Sequence, residues 1–251
     1  MTTIRAVARG CGHYLPARVV ENAEFEASLD TSDEWIRART GIERRHFAAE
    51  GEATSDLAIA AARAALADAG LTGADLDAIV LATATPDQTF PSTAVKVQTA
   101  VGMAGGFAFD IQAVCAGFVF ALAQADALIR GGVARRVMVI GAETFSRILD
   151  FTDRSTCVLF GDGAGALILE AAEGTGEASD RGLLATDLHS DGRYIDLLYV
   201  DGGPSTTGTA GVVRMSGQEI FKHAVVKLAA TGAAALARAG LSKDDVDWLV
   251  P

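Results

Sequence analysis

Short apolar runs rich in Val and Ile alternate along the chain with longer Ala-rich stretches, several of which carry apolar residues at i, i+3, i+4 and i+7. The runs Ile4–Ala8, Ala78–Ala84, Gly106–Ile111, Arg136–Gly141, Ala164–Leu169 and Leu183–Leu188 predict strands. The stretches Ser55–Ala69, Ser92–Val101, Ala116–Arg130 and Ser216–Ala239 predict helices, with Gly70 and Gly240 as stop signals just past two of them. Strands alternating with helices imply an α/β protein built on a largely parallel, buried sheet. The run Ala171–Asp180 is small, polar and acidic, so it reads as a surface connection between two halves, residues 1–172 and 173–251.

The pattern also repeats. Residues 66–80 (LADAGLTGADLDAIV) and 236–250 (LARAGLSKDDVDWLV) align without a gap at an offset of 170, with eight of fifteen positions identical. In both copies a helix stops at glycine, an acidic turn follows and an apolar strand begins, which indicates an internal duplication. On that reading the second half is incomplete at Pro251, and two equal copies would make about 340 residues. A half-built second sheet would leave strand edges and apolar helix faces uncovered.

Composition narrows the function classes. With 21 basic against 32 acidic residues the net charge is −11, and no Lys/Arg run occurs, so neither nucleic acid nor an anionic membrane is the expected partner. Half the residues are hydrophobic and 21% charged, which excludes a disordered chain. Nothing approaches eighteen consecutive apolar residues, and Met1–Arg5 lacks the build of a signal peptide, so a cytoplasmic protein is expected. Three cysteines and four histidines are scattered without CxxC or HxxxH spacing, which suggests no disulfide framework and no metal.

Among the cysteines, Cys115 has a distinctive setting. A predicted strand ends near Ile111 and a predicted helix begins near Ala116, so the thiol sits at the positive end of a helix dipole. There a thiolate is favoured and backbone N–H groups point towards a bound carbonyl. Ala113, Ala116 and Gly117 leave room for a substrate. Cys11 and Cys157 lack that setting and read as small core hydrophobes. The stretch Phe160–Ala166 is Gly-rich but has neither P-loop nor dinucleotide register, and it reads as a tight strand-to-strand turn.

Four motifs occur in one order: Thr31-Ser32-Asp33-Glu34-Trp35-Ile36 with Arg39-Thr40-Gly41-Ile42, then Thr89-Phe90-Pro91-Ser92, then the Cys115 turn, then Asp153-Arg154 through Gly161-Asp162-Gly163-Ala164-Gly165. Together they resemble the β-ketoacyl-acyl carrier protein synthase III family of the thiolase superfamily over essentially the whole chain. The resemblance implies duplicated βαβαβαββ halves with layered helices and sheets, in agreement with the repeat. It implies transfer of an acyl group from acyl-CoA to Cys115, then decarboxylative Claisen condensation with malonyl-acyl carrier protein, in a cytoplasmic homodimer that initiates fatty acid biosynthesis without a cofactor.

Carried over by position, Trp35 and Arg154 would sandwich the CoA adenine and Arg39 and Thr40 would contact the nucleotide. Met215, Gly217, Gln218 and Phe221 would line the pantetheine tunnel, with Gln218 replacing a more usual Asn. Phe90, Phe145, Phe160 and Leu198 would surround the acyl pocket, with Phe90 reaching into the partner's site and Phe145 narrowing the pocket towards a short primer. The family's catalytic His follows a Val-Pro, matching the position after Val250-Pro251, and its Asn lies further on. None of His13, His46, His189 or His223 stands there; His189 and His223 read as structural or surface. The 251 residues alone are therefore expected to lack condensation. Lys222, Arg44 and Arg45 are candidates for receiving an acidic carrier protein, with a solvated surface role as the alternative. Two other readings are a thiolase-fold enzyme with a different second substrate and a non-catalytic fragment acting by association.

Overall fold

The computed structural model describes residues 2–250, so Met1 and Pro251 lie outside the described residues. The chain opens with β1 (Thr3–Tyr14), β2 (Arg18–Glu21), α1 (Asn22–Glu26), α2 (Asp33–Thr40) and β3 (Arg44–Phe47). The central elements are α3 (Thr54–Ala69), β4 (Ala78–Ala82), α4 (Thr93–Val101), β5 (Phe107–Ile111), α5 (Gly117–Arg130), β6 (Arg136–Thr144) and β7 (Asp162–Gly174). β8 (Leu198–Val200), β9 (Val213–Met215) and α6 (Gly217–Ala239) follow. Leaving aside the β2–β3 excursion, the order β1-α3-β4-α4-β5-α5-β6-β7 is the expected βαβαβαββ half.

The main sheet runs β1-β7-β6-β4-β5. β4 pairs parallel with both β5 and β6, but β7 is antiparallel to β6 and to β1, so the sheet is mixed rather than largely parallel. A parallel return needs a crossover the length of a helix, and the connection between β6 and β7 contains only one short 3-10 turn. The Gly-rich stretch is likewise not a turn: from Asp162 onward it is the start of β7.

Period-two alternation sends Ile79, Leu81, Met138 and Ile140 to one face, against α3 and α4. Val80, Val137 and Val139 go to the other, against α5. β1 is longer than the run Ile4–Ala8 because Gly10 and Gly12 continue it beneath α3. A Cβ on Gly12 would stand 2.3 Å from the Ala65 amide nitrogen, so only glycine allows this approach.

The two repeat copies end their helices alike. Gly70 and Gly240 are both left-handed, and Leu71 and Leu241 each donate 2.9 Å bonds back to Leu66 and Leu236. Thr72 and Ser242 are then each bonded from their amide to Asp75 and Asp245 at 2.8 Å. After this the copies diverge. β4 is wholly buried, whereas Trp248, Leu249 and Val250 are exposed and form no strand. Leu183–Leu188 also forms no strand, although Leu183 donates to the Ala6 carbonyl at 2.9 Å. A strand exists only as part of a ladder, and among the described residues neither segment has one to join.

α6 has no buried residue, whereas its counterpart α3 buries Leu57, Ala58, Ala61, Ala62, Ala65 and Leu66. By length and composition α6 is apolar enough to cross a membrane, which the search for uninterrupted apolar runs missed because its few charges break the run. Its duplication partner shows the same apolar content serving a protein core. The expected connection at 171–180 starts later, since β7 runs to Gly174 and the turn beyond it is closed by Asp180 on Arg5 at 2.9 Å.

Candidate active site

β5, β4 and β6 point the same way, with Ile111 and Ala82 level at the carboxyl ends of β5 and β4 and Gly141 beside them, three residues before the end of β6. The segments leaving those ends, 84–89, 112–116 and 144–148, form one wall of an open cleft of about 1460 Å³, the place where α/β sheets bind ligands. Residues 197–203 and one face of α6 form the other wall.

Cys115 lies in this cleft, exposed, in the short turn between β5 and α5. Val114 beside it has a φ of 48°, the left-handed region that a β-branched residue rarely enters. No side chain caps α5; backbone bonds close its start, the Ala116 amide donating to the Ala113 carbonyl at 3.1 Å and the Gly117 amide to the Val114 carbonyl. Gly117 lets α5 start close to β4, where a Cβ would meet that of Ala82 at 3.1 Å. Asp110, five residues before the thiol, accepts the Thr93 and Ala94 amides at 2.6 and 2.7 Å and so fixes the start of α4 to the end of β5. Asp162, buried, accepts the Ala48 amide at 2.7 Å and the Ser146 amide and hydroxyl at 2.8 and 2.6 Å, which anchors the β6 exit.

Sequence reasoning missed Glu143 at the end of β6. It accepts the Ala84 amide at 2.7 Å, the Thr85 hydroxyl at 2.6 Å and the Thr83 hydroxyl at 3.4 Å, tying the β4 exit to the β6 exit. Burial pushes its pKa up despite these bonds. The only signal was a Glu within an otherwise apolar strand.

The expected residues fall into separate groups. Phe145 and Leu198 line the cleft. Phe160 stands behind Phe145, ring centroids 4.6 Å apart. Phe90 is 81% exposed and borders a smaller neighbouring cavity of about 460 Å³. Trp35 carries Arg39 at 4.4 Å and Arg154 at 5.0 Å from its ring centre. Trp35, Phe145, Phe160 and Leu198 all pack on one hydrophobic cluster, which joins the Trp35 group to the cleft wall. The Thr40 hydroxyl is engaged within its own helix end, donating to Ile36 at 2.7 Å and accepting from Ile42 at 3.0 Å.

Met215, Gly217, Gln218 and Phe221 do not line the cleft; α6 presents Ile220, His223, Ala224 and Lys227 instead, an i, i+3, i+4, i+7 stripe. His223, read as structural or surface, thus faces the cleft, its ring 4.1 Å from that of Tyr194. Nearby Asp191 is held well below the usual carboxylate range by Arg193 and Lys227.

Two further expectations change, those for Cys11 and Arg45. Cys11 is exposed on β1 rather than in the core, whereas Cys157 is fully buried and its thiol is pushed up to about 11 by burial. Arg45 is 6% exposed, so it is no surface patch for a carrier. The alternation of β3 turns it inward while Arg44 faces solvent. Lys222 is exposed and paired with Glu219 at 2.7 Å.

A cysteine at a strand-to-helix turn, open to a cleft at the carboxyl ends of a βαβαβαββ half, defines a thiolase-like acyl-transfer enzyme. Residues 109–192 match the family model described as 3-oxoacyl-[acyl-carrier-protein (ACP)] synthase III. The chain is 73% identical to the β-ketoacyl-[acyl-carrier-protein] synthase III of Rhodobacter capsulatus over 99% of its own length and 77% of that protein's. Against the enzyme of the same name from Paracoccus denitrificans the identity is 71%, covering 98% and 76%. The crystal structure of 3-oxoacyl-[acyl-carrier-protein] synthase III from Aquifex aeolicus superimposes with a TM-score of 0.87 at 44% identity, covering 96% and 74%. The chain belongs to the 3-oxoacyl-[acyl-carrier-protein] synthase III family, an acyltransferase of fatty acid biosynthesis.

Proposed function

We propose that Cys115 is the acyl carrier of this enzyme and that the cleft around it takes the acyl and pantetheine portions of an acyl-CoA. The observation that carries this is the exposed thiol at the start of α5, inside the large cleft. Its thiolate attacks the thioester carbonyl, backbone amides of the turn at Cys115 stabilise the oxyanion, and CoA leaves as a thiol, which needs no cofactor. Phe145 and Leu198 bound the acyl end, with Phe160 supporting Phe145. Malonyl-acyl carrier protein is the second substrate: loss of CO2 generates the carbanion that attacks the acyl-cysteine.

Trp35 and Arg154 are the two faces for adenine, with Arg39 beside them and Thr40 holding the C-terminal end of α2, the helix that carries Trp35 and Arg39. At 5.0 Å the faces must part to about 7 Å, two van der Waals spacings, to admit a base. Met215, Gly217, Gln218 and Phe221 are assigned to the pantetheine approach by family position alone. Phe90, mostly exposed, is the residue for a second subunit's site in a cytoplasmic homodimer. The two halves divide just after β7, beyond Gly174.

Incubation with acetyl-CoA followed by peptide mass spectrometry tests the first step. An acetyl group on the Cys115 peptide supports it, and label on Cys11 or Cys157 contradicts it.

A further inference from the structure

Arg45 is a buried guanidinium with no ion pair among the described residues. Removing a cation from water without a counter-charge is costly, and burial lowers its pKa. Its bonds all go to neutral oxygens. One terminal nitrogen donates to the Val20 carbonyl at 3.3 Å; the other donates to Asn22 Oδ1 and to the Val158 carbonyl, both at 2.8 Å. The Phe25 ring covers it, 4.8 Å from ring centre to guanidinium carbon.

Asn22, 1% exposed, continues the chain of bonds. Its amide nitrogen donates to Asp33 Oδ1 and to the Ile42 carbonyl, both at 2.8 Å. Asp33 opens α2 and Ile42 lies just past its end, so one side chain grips both ends of the helix that carries Trp35. Val158 lies four residues beyond Arg154 in the same turn. The buried pair Arg45–Asn22 therefore joins the segment bearing Trp35 to the segment bearing Arg154. The two segments also share a hydrophobic cluster through Ile36, Cys157 and Val158, but their other polar tie, Arg154 with the Asp30 carbonyl and carboxylate, lies at the surface, where such pairs hold little.

We propose that Arg45 and Asn22 are positioning residues that set the separation of Trp35 and Arg154 and thereby the affinity for the nucleotide of the acyl-CoA. This rests on the reading of those two side chains as the faces for adenine. Arg45 touches neither the nucleotide nor the thiol; it acts through the two segments. Lysine cannot replace it, because one ammonium nitrogen cannot reach Val20 and also Asn22 and Val158, which the two terminal nitrogens of the guanidinium serve separately.

The test compares acylation of Cys115 by acetyl-CoA with acylation by S-acetyl-N-acetylcysteamine, the same thioester without a nucleotide. For R45K the acetyl-CoA concentration giving half the limiting acylation rate is expected to rise roughly fivefold to tenfold, part of the stacking energy of one base, with the limiting rate constant unchanged. The constants for the truncated thioester are expected to move less than about twofold, within the spread of ordinary surface changes. N22A should show the same selective rise and decides the matter if R45K does not fold. Equal losses on both thioesters, or none on either, overturn the proposal, because a merely structural role does not discriminate between them. W35A is run alongside. If it too fails to discriminate, the adenine reading falls; if it discriminates and R45K and N22A do not, only the positioning role falls.

Discussion

Replacing Glu143 probes how the exits of β4 and β6 are held together behind the cleft. Glu143→Ala removes the acceptor from the Ala84 amide, at 2.7 Å, and from two threonine hydroxyls. The hydroxyls can turn to each other, since Thr83 Oγ1 and Thr85 Oγ1 are 3.5 Å apart, so the stranded Ala84 amide dominates. The expected loss is about 2 kcal/mol, within the usual cost of leaving one buried donor unmade.

Glu143→Gln keeps an oxygen for that amide and removes the charge. Because burial raises the carboxyl pKa in the folded state above its ordinary 4.5, the proton-bound form favours folding. That contribution is fully present below pH 4.5 and is lost as pH rises through the folded-state value. The stability gap between wild type and Glu143→Gln should therefore move in favour of glutamine across that window, by at most about 1.4 kcal/mol per pH unit. Urea melts of both proteins from pH 4 to pH 8 measure the gap directly, and other titrating groups cancel between them. A gap that stays constant across the range refutes the burial of an ionisable Glu143, and wild-type stability in Glu143→Ala refutes its role as a tie.

Other consequences are simpler to read. Gly12→Ala should lower stability by roughly 1–3 kcal/mol in a thermal melt, because its Cβ meets α3 backbone rather than a side chain that can move. Gly165→Ala, with nothing within 4 Å, is expected to change little. Asp110→Ala should cost about 1–2 kcal/mol of stability by uncapping α4, and should slow acylation because the strand end leading to Cys115 loses its anchor. Cys157→Ala should leave the site of acylation unchanged, since its thiol lies in the core.

The first half of the fold was legible because β4 and β6 are covered on both faces and read as unbroken apolar runs, while α3, α4 and α5 carry clear helical periods. What stayed hidden depended on tertiary partners. Nothing local shows that Gly10 and Gly12 extend β1, because their role is to admit α3. Leu183–Leu188 and Trp248–Val250 have strand composition but no ladder to join. Arg44-Arg45 reads as a surface pair until β3 alternation buries the second arginine. The setting of Cys115 was visible from one strand end and one helix start, and the structure adds the cleft. His223 and Glu143 enter the site only through the face of α6 and the adjacent ends of β4 and β6.

Reaction with isotopically labelled acetyl-CoA, quenching and peptide mapping test the central claim most directly. The account predicts one acetyl group per chain on the Cys115 peptide, absent from Cys115→Ala. Acetylation of Cys115→Ala at Cys11 or Cys157 to the wild-type extent would contradict it.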